Sequence, residues 1–221
     1  MNLSLLTKTS LFRGMTSQDI SSILNCLEGQ YKTYTKGELI YCAGEFVHSI
    51  GIVLSGKIHI EIDDFWGNKS ILNDIQPGQL FAEAYACVPG EPLMVNVVSV
   101  TNSEILFLNI HKMVQTCSNS CIHHSKMIQN LLTVMAQKNL HLSRRILHTT
   151  PKTIRDRLLA YLSFLEFRQG SRTLTVPFNR QQLADYLSVD RSALSKEIGK
   201  MQKDGILKVR KNIFVIKSNP L

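Results

Sequence analysis

Residues 179–201 limit the possible folds of this chain more than any other stretch, because they read as two short helices joined by a tight turn. Leu183 and Leu187 lie four residues apart on the first helix, and the small Ala184 lets two helices cross closely. On the second helix, apolar residues recur at spacings of four and three, at Leu194, Ile198 and Met201. This pattern is typical of a helix-turn-helix, and an ordinary helical hairpin buried in a core is the alternative.

The second helix has clear start and stop signals, since Asp190 is a good N-cap and Gly205 is a good C′ residue. In a helix-turn-helix, the second helix enters the major groove of DNA by its N-terminal residues. In this chain those residues can donate hydrogen bonds to base edges or phosphates, and they are Arg191, Ser192, Ser195 and Lys196. The stretch therefore predicts a DNA-reading helix.

Charge is distributed unevenly along the 221 residues, whose formal net charge is +8. Residues 1–150 carry 11 Lys and Arg against 11 Asp and Glu, whereas residues 151–221 carry 14 against 6. The positive excess therefore surrounds the predicted helix-turn-helix. Phosphate binding requires such a basic domain, and solubility alone gives no reason to segregate charge in this way. The charge distribution thus favours DNA binding over the buried hairpin.

The composition, with 44% hydrophobic and 19% charged residues, is that of a globular chain with one or two domains. No apolar run approaches the ~18 to 20 residues that would span a bilayer, and the first residues lack the features of a signal peptide. We therefore expect a cytoplasmic protein that does not bind membranes. Five cysteines, an odd number, give no basis for a framework of structural disulfides.

A β-rich region extends over about residues 30–108, after a short helical lead-in. Its strand-like runs are short and rich in β-branched residues, and glycines at 37, 44, 56, 67 and 78 separate them at regular intervals. Such turn spacing predicts a small antiparallel, jelly-roll-like β-roll or barrel. The predicted strands cover residues 39–41, 50–54, 57–62, 70–72, 95–100 and 104–108, with a short helix or turn at 81–87.

One long helix is predicted over residues 120–148. A first apolar stripe has the alternating spacing of a two-stranded coiled-coil seam, and it contains Ile128, Leu132, Met135, Asn139, Leu142 and Ile146. A polar Asn in such a seam fixes the register. A second stripe beside it contains Met127, Leu131, Val134 and Lys138. One stripe would face a partner helix and the other the roll, and a single amphipathic helix on its own core is the alternative.

The Thr149-Thr150-Pro151 sequence predicts a break after the long helix and a natural hinge. A further amphipathic helix follows, and residues 206–216 alternate like a two-stranded wing that offers Lys208, Arg210 and Lys211 to the DNA backbone. We therefore predict an α+β chain in three parts. These are an antiparallel β-roll domain at 1–119, a long helix at 120–148 and a winged helix-turn-helix domain at 149–221.

The order of these parts resembles the Crp/Fnr family of bacterial transcription regulators, and the resemblance covers nearly the whole chain. Its anchors are Gly37-Glu38, Gly44, Gly56, the segment PGQLFAE at 77–83 and the block at 179–201. The resemblance implies an effector-sensing roll and a homodimer formed through residues 120–148. It also implies a palindromic DNA site with half-sites about 10 base pairs apart, and RNA polymerase and a small-molecule effector as partners.

Position by position, the resemblance assigns roles to the DNA-binding residues. Arg191 matches an arginine that reads guanine or phosphate, and Ser195 matches a serine of the oxygen-sensing branch. Lys196 stands where a base-reading arginine is usual, and Ser192 replaces a glutamate that accepts from cytosine. Because serine is a less selective reader, the usual half-site sequences are not expected. Phosphate-positioning residues at the start of the first helix are matched by Arg180 and Gln181.

The sensor domain departs from the cyclic-nucleotide branch at the ligand-holding positions. By the resemblance, Ala82-Glu83 replaces a Gly-Glu pair, and Leu93-Met94 replaces the Arg-Ser pair that binds the phosphate. An apolar pair cannot neutralise a buried phosphate, so cyclic AMP is not expected as the effector. Glu83 serves either a hydroxyl-bearing ligand or backbone donors. Tyr85, Leu93 and Met94 either suit an apolar effector or fill the core, and we add Asn139 to this candidate pocket.

The cysteines support a competing hypothesis, a redox- or metal-responsive regulator. No cysteine precedes Cys26 and no CxxC occurs, so the N-terminal iron–sulfur cluster found in one branch of the family is not expected. Cys117, Cys121 and His124 follow helical spacings of four and three, and with Cys87 they could bind a metal or sense oxidants. The spacing matches no standard zinc module, and buried inert thiols are the alternative.

An enzyme built on a cupin-like metal barrel is the third hypothesis. Such barrels use a His-x-His pair with a carboxylate, whereas His48, His59 and His111 are isolated in the sequence. No nucleophile elbow or phosphate-binding loop occurs either. We therefore expect a protein that is not an enzyme.

Overall fold

The computed structural model describes residues 3–63, 65–66, 69–114 and 122–217. The chain forms two compact units, Met1–Ala136 and Gln137–Leu221. This division falls within the long helix, and the three-part division expected from the sequence stays a prediction. None of the helices among the described residues combines the length and apolar character needed to cross a bilayer.

The first unit is built mainly of β-strands, with short helices before and between them. Its elements are α1 (Leu3–Leu6), α2 (Ser17–Cys26), β1 (Gln30–Tyr34), β2 (Leu39–Tyr41), β3 (Ser49–Ser55), β4 (Ile58–Asp63), β5 (Lys69–Ile75), β6 (Leu80–Phe81), α3 (Glu83–Ala86), β7 (Asn96–Ser99), β8 (Ser103–Asn109) and α4 (Ile110–Val114). The helix α5 (Ile122–Thr149) then runs from the first unit into the second.

The strands of the first unit form two four-stranded antiparallel sheets, in the orders β1-β8-β3-β6 and β2-β7-β4-β5. This confirms the predicted antiparallel roll. A capping box starts α2, since the amide of Asp19 donates to the Thr16 hydroxyl and the amide of Thr16 donates to the Asp19 carboxylate. The strands β1 and β6 were not among the predicted runs.

The central strands β3 and β8 separate two apolar cores. Side chains alternate between the two faces of a strand, so Ile52 and Leu106 point to one side while Val53 and Phe107 point to the other. The first side packs under the helices, with residues such as Phe12, Ile20, Leu27 and Met127. The second side packs against the other sheet, with Ile40, Ile58, Ile75 and Val97. Two-sided burial explains why β3 is apolar almost throughout instead of alternating.

Gly51 in β3 makes room for an aromatic ring between the sheets. A Cβ atom at this position would lie 2.1 Å from Cζ of Phe81. Phe81 is itself buried and is paired with Gly51 across the ladder between β3 and β6. Glycine is required here because it has no side chain, and not because of its backbone torsion angles.

The second unit contains the predicted winged helix-turn-helix. Its elements after α5 are α6 (Ile154–Gln169), β9 (Thr173–Thr175), α7 (Arg180–Leu187), α8 (Arg191–Lys203), β10 (Leu207–Arg210) and β11 (Ile213–Ile216). All the apolar residues that defined the pattern are buried, which makes α7 and α8 a packed pair. The wing has three strands in the order β10-β11-β9, one more than expected, because β9 pairs with β11.

The two apolar stripes of α5 have different environments. Met127, Leu131 and Val134 are buried, and Met127 and Leu131 belong to the core under the roll. In the predicted seam, Leu132, Leu142 and Ile146 are 64%, 60% and 62% exposed. The second stripe therefore faces the roll, and the seam is left open along much of its length.

A test of the roll core is to replace Gly51 by Ala. We expect the free energy of unfolding to fall by about 1–3 kcal/mol, because the added methyl group overlaps the Phe81 ring. Urea unfolding followed by circular dichroism measures this change, and the G51A/F81L double variant should recover part of the loss.

The matched control is Gly199→Ala in α8, where an added Cβ meets nothing within 4 Å. This substitution should leave stability unchanged or raise it by up to ~1 kcal/mol, since alanine is the better helix former. Equal losses in Gly51→Ala and Gly199→Ala would contradict the packing explanation.

Candidate nucleic-acid interface and effector region

The recognition helix α8 is fixed at both ends. At its start, the Asp190 carboxylate accepts a hydrogen bond of 2.9 Å from the amide of Ala193. At its end, Gly205 adopts a positive φ of 74°, as expected of a C′ residue. One side of α8 is buried in the core through Leu194, Ile198 and Met201. The four residues expected to read DNA, in the first two turns of the helix, are all exposed.

Ser192 has a second role that the sequence did not indicate. Its hydroxyl donates a hydrogen bond of 2.5 Å to the Asp190 carboxylate. Hydrogen bonds from this hydroxyl and from the Ala193 amide lower the pKa of Asp190 below its ordinary value. The hydroxyl hydrogen of Ser192 is therefore engaged at the helix cap, and toward DNA this side chain offers mainly an acceptor.

Every Asp and Glu side chain in residues 151–217 has a partner inside the second unit. Arg155 is the most important of these partners, because its Nε lies 2.7 Å from Oε1 of Glu197 and its Nη2 lies 2.8 Å from Oδ2 of Asp204. These contacts tie α6 to the C-terminal half of α8. The other pairs are Asp156 with Thr153, Glu166 with Arg172, Asp185 with Gln181 and Asp190 with Ser192.

The basic residues on the exposed surface of α8 and the wing, which we call the outward face, do not share the internal pairing of the carboxylates. Arg191 and Lys196 on α8, and Lys208, Arg210 and Lys211 on the wing, are exposed. Over the described residues, none of these five cations forms an ion pair. Arg191 also stands in the first turn of α8, where a positive charge is unfavourable to the helix dipole and an anion is favourable. The face thus carries positive charge that no internal carboxylate neutralises.

The two residues expected at the start of α7 differ in exposure, since Arg180 is half-buried and Gln181 is exposed. The Arg180 guanidinium lies 5.6 Å from the centroid of the Phe214 ring, and burial lowers the pKa of Arg180. Gln181 donates a hydrogen bond of 2.8 Å to Asp185, one turn along α7. A cavity of about 350 Å³ lies beside Arg180, between α7 and the turn of the wing at Lys211.

The candidate effector residues lie in several environments. Leu93 is buried in the core under the helices, whereas the neighbouring Met94 is 67% exposed. Glu83 is buried at the start of α3, and Tyr85 is half-buried against the same core. Asn139 is exposed on α5, where it accepts a hydrogen bond of 3.3 Å from Ser143. Leu93 and Met94, which the resemblance aligns with one phosphate-binding pair, therefore do not line a common pocket wall.

Aromatic rings fill the space between the two sheets of the roll. Tyr41 lies 6.3 Å from Phe81 and 5.8 Å from Phe107, and these two phenylalanines are 6.2 Å apart. All three pairs have the edge-to-face arrangement that aromatic rings prefer. Burial raises the pKa of Tyr41 well above its ordinary value. These rings, and not the candidate residues Tyr85, Leu93 and Met94, occupy the core between the sheets.

The metal and redox candidates are only partly described. Cys117 and Cys121 lie outside the described residues. Burial and the nearby Glu83 carboxylate raise the pKa of the Cys87 thiol, which lowers its thiolate content and its reactivity. His124 is buried, and its Nδ1 has no hydrogen-bond partner among the described residues.

The histidines that were isolated in the sequence have neighbours in space. The rings of His48 and His111 are 5.9 Å apart, and His59 lies 3.5 Å from Glu61 and 3.9 Å from Asp74. Nowhere in 3–63, 65–66, 69–114 or 122–217 do three His, Cys, Asp or Glu side chains meet in a metal-binding group.

His148 at the end of α5 is a functional candidate that the sequence analysis missed. It is only 3% exposed, and its Nδ1 lies 2.8 Å from the Tyr186 hydroxyl. Its ring is surrounded by Tyr161, Phe164 and Tyr186 at centroid distances of 5.4, 5.2 and 5.7 Å. Burial, and secondarily the charge of Arg144, lower the pKa of His148. A buried histidine beside three aromatic residues on other helices could not be inferred from spacing alone.

Family models match both units of the chain. A cyclic nucleotide-binding domain model matches residues 31–120, and a Crp-like helix-turn-helix domain model matches residues 156–219. A comparison with curated protein sequences found no match.

Solved structures share the fold at low sequence identity. The chain resembles the catabolite activator protein of Thermus thermophilus, with 18% identity, a TM-score of 0.52 and coverage of 94% of this chain and 93% of that one. It also resembles the c-di-GMP-responsive global regulator CLP of Xanthomonas campestris, with 16% identity, a TM-score of 0.51 and coverage of 92% and 100%. A third match is the N-terminal domain of a transcriptional regulator from Streptomyces coelicolor, with 16% identity, a TM-score of 0.52 and coverage of 62% and 94%.

The lowered pKa of His148 predicts a pH dependence of stability. A histidine that is harder to protonate when folded stabilises the fold above its unfolded pKa of about 6.5, and this contribution is lost as the pH falls below that value. Urea unfolding between pH 7.5 and pH 5 should therefore show a steeper loss of stability for the wild-type protein than for His148→Gln. His141→Gln, a change at an exposed histidine of the same helix, is the control and should keep the wild-type slope. Identical slopes for wild type and His148→Gln would contradict the assignment.

Proposed function

From the premise that this chain belongs to the Crp/Fnr family of transcription regulators, with a cyclic nucleotide-binding domain and a Crp-like helix-turn-helix domain, we propose that it acts as a homodimer on a palindromic DNA site. Its two recognition helices would read half-sites about 10 base pairs apart. Direct readout would fall to Arg191, Ser192, Ser195 and Lys196, and backbone contacts to Arg180, Gln181 and Arg210.

One observation carries the DNA-binding proposal: the Asp and Glu side chains of residues 151–217 are paired internally while the cations of the outward face are left unpaired. Such an arrangement leaves the positive charge of this face available to phosphates. Arg180 would have to leave the Phe214 ring, at least in part, to contact a phosphate. Its role in binding is therefore the smallest that we assign among the arginines.

The homodimer proposal is supported by the open seam of α5. Leu132, Leu142 and Ile146 expose apolar surface at the spacing of a two-stranded coiled coil, with Asn139 as the polar register position. A soluble helix rarely leaves such a stripe in water unless another surface covers it. A second copy of the same helix offers an identical stripe and is the occupant we propose.

The roll would act as the sensor for a small-molecule effector. We propose that this effector is not cyclic AMP, because Leu93 and Met94 supply no positive charge at the positions where the family binds the phosphate. The effector would shift the regulator between states of different DNA affinity. As a DNA-binding regulator the dimer would work in the cytoplasm together with RNA polymerase, with functional regions at 1–119, 120–148 and 149–221.

The DNA-binding proposal predicts the effect of replacing both Arg191 and Lys196 by Ala. Binding to a duplex selected from a random pool should weaken about tenfold or more. Because the dimer loses two cations from each protomer, four in all, the dependence of log K on log salt should become shallower by about three to four units of slope. Electrophoretic mobility shift at several salt concentrations measures both quantities.

The matched control is Lys200→Ala with Lys203→Ala, which removes the same charge from the C-terminal part of α8. Because only the N-terminal part of the recognition helix enters the groove, this control should weaken binding much less. Equal weakening by the two double variants would contradict the assigned reading face.

The homodimer proposal predicts that Leu142→Glu with Ile146→Glu gives a monomer at micromolar concentration, because four buried carboxylates would oppose each other across the seam. Sedimentation velocity measures the molecular mass directly. The control, Leu140→Glu with Leu147→Glu, changes two exposed leucines on another face of α5 and should remain dimeric. A wild-type monomer, or a dimer that survives the seam variant, would exclude this interface.

A further inference from the structure

Two residues, one before and one after the break at Pro151, form hydrogen bonds with the helix-turn-helix. The sequence predicts a hinge at this break, and the helix does stop at Thr149. The hydroxyl of Thr150 donates to the carbonyl of Ile146 at 2.7 Å, which caps the last turn. The two residues are His148, at the end of α5, and Arg157, on α6. His148 contacts α7, and Arg157 contacts the end of α7 and the turn that follows it.

His148 forms the first link. Its Nδ1 lies 2.8 Å from the hydroxyl of Tyr186 on α7, and its ring packs against Tyr161 and Phe164 of α6. The charged groups around this site include Arg144 and Arg168, whose guanidinium groups lie 5.3 and 5.8 Å from the Phe164 centroid. The charge of Arg145 also acts on Tyr186. A buried side chain held by rings from two helices cannot rotate without disturbing both of them.

Arg157 forms the second link with one guanidinium. Its Nε donates to the carbonyl of Pro151 at 2.8 Å, and its Nη1 donates to the carbonyls of Leu187 and Ser188 at 3.2 and 3.0 Å. The last two carbonyls lie at the end of α7, where the helix itself supplies no amide donors for them. Arg157 therefore caps α7 from α6 and at the same time holds the break segment.

The two links lie close in sequence to the residues proposed to contact DNA and to those proposed to contact the second copy of α5. Ser188 precedes the N-cap of the recognition helix, Asp190, by only two residues. On α5, Ile146 of the seam precedes His148 by two residues, about 3 Å along the helix axis. The links thus join the last turn of the seam helix to the turn that aims the recognition helix.

We propose that His148, Tyr186 and Arg157 form a clamp that sets the direction of the recognition helix relative to the seam, and so makes the dimer selective for half-site spacing. The clamp residues are positioning residues, since none of them is assigned a contact with DNA. This proposal rests on the proposed function, because spacing has meaning only for a dimer on two half-sites. It predicts a specific loss when the clamp is loosened.

The test uses the full-length protein and a palindromic duplex selected from a random pool. Duplexes with one or two base pairs inserted or removed between the half-sites displace each half-site by about 3.4 Å and 35° per base pair. The wild-type protein should lose at least tenfold in affinity on the altered spacings. Tyr186→Phe with Arg157→Lys removes the hydroxyl and the guanidinium fork, and its spacing penalty should fall several-fold while affinity for a single half-site stays within twofold.

Matched variants keep this test decisive. Arg168→Lys makes the same change of cation on α6 without touching the break or α7, and it should retain the wild-type penalty. Tyr186→Phe alone, which keeps the ring, covers the case in which the double variant fails to fold, and it should show a smaller reduction.

The outcomes separate the two proposals. An undiminished spacing penalty in the clamp variants would overturn the clamp and leave the proposed function intact. Equal losses on half-sites and full sites would also overturn it, because they would indicate structural support alone. If the wild-type protein selects no duplex with two half-sites, both proposals fail.

Discussion

The roll depends on the burial of β3 and β8 from both sides. These strands divide the first unit into a core beneath the helices and a core between the sheets, so each strand must be apolar at odd and even positions alike. At Gly51 this close packing excludes any side chain, because only glycine leaves space for the Phe81 ring. The rings of Tyr41, Phe81 and Phe107 then fill the space between the sheets. The sensor half is thus a packed structure in its own right.

In the second unit, the distribution of surface charge depends on the hydrogen bonds and ion pairs of the carboxylates. Asp156 and Asp190 cap helices, and Glu197 and Asp204 bind Arg155. Each of these contacts is partly exposed and contributes little to stability by itself. Their combined effect is on the surface potential, since the face of α8 and the wing keeps its positive charge. The same residues therefore fix local structure and leave the charge of that face unchanged.

The parts of this fold that the sequence predicts are those with local causes. Asp190 and Gly205 bound α8, and Leu183, Leu194 and Ile198 pack where their spacing indicates, because these effects act within one or two helical turns. The two-residue strand β6 could not be predicted, since its pairing with β3 is a long-range event. Leu93 and Met94 separate into core and surface for the same reason. The contacts of His148 and Arg157 bring together segments 30 or more residues apart, which no periodicity reveals.

The pairing of β1 with β8 has a consequence for how the chain acquires its structure. Gln30 is matched with Phe107, so this ladder closes only after more than 70 intervening residues have been placed. Ladders with such long loops form slowly, because loop entropy must be lost before the contacts form. In the second unit, α7 and α8 are adjacent in sequence and the strands β10 and β11 are joined by a short turn. We therefore expect the DNA-binding unit to fold faster than the sensor unit, although it is synthesised after the sensor unit.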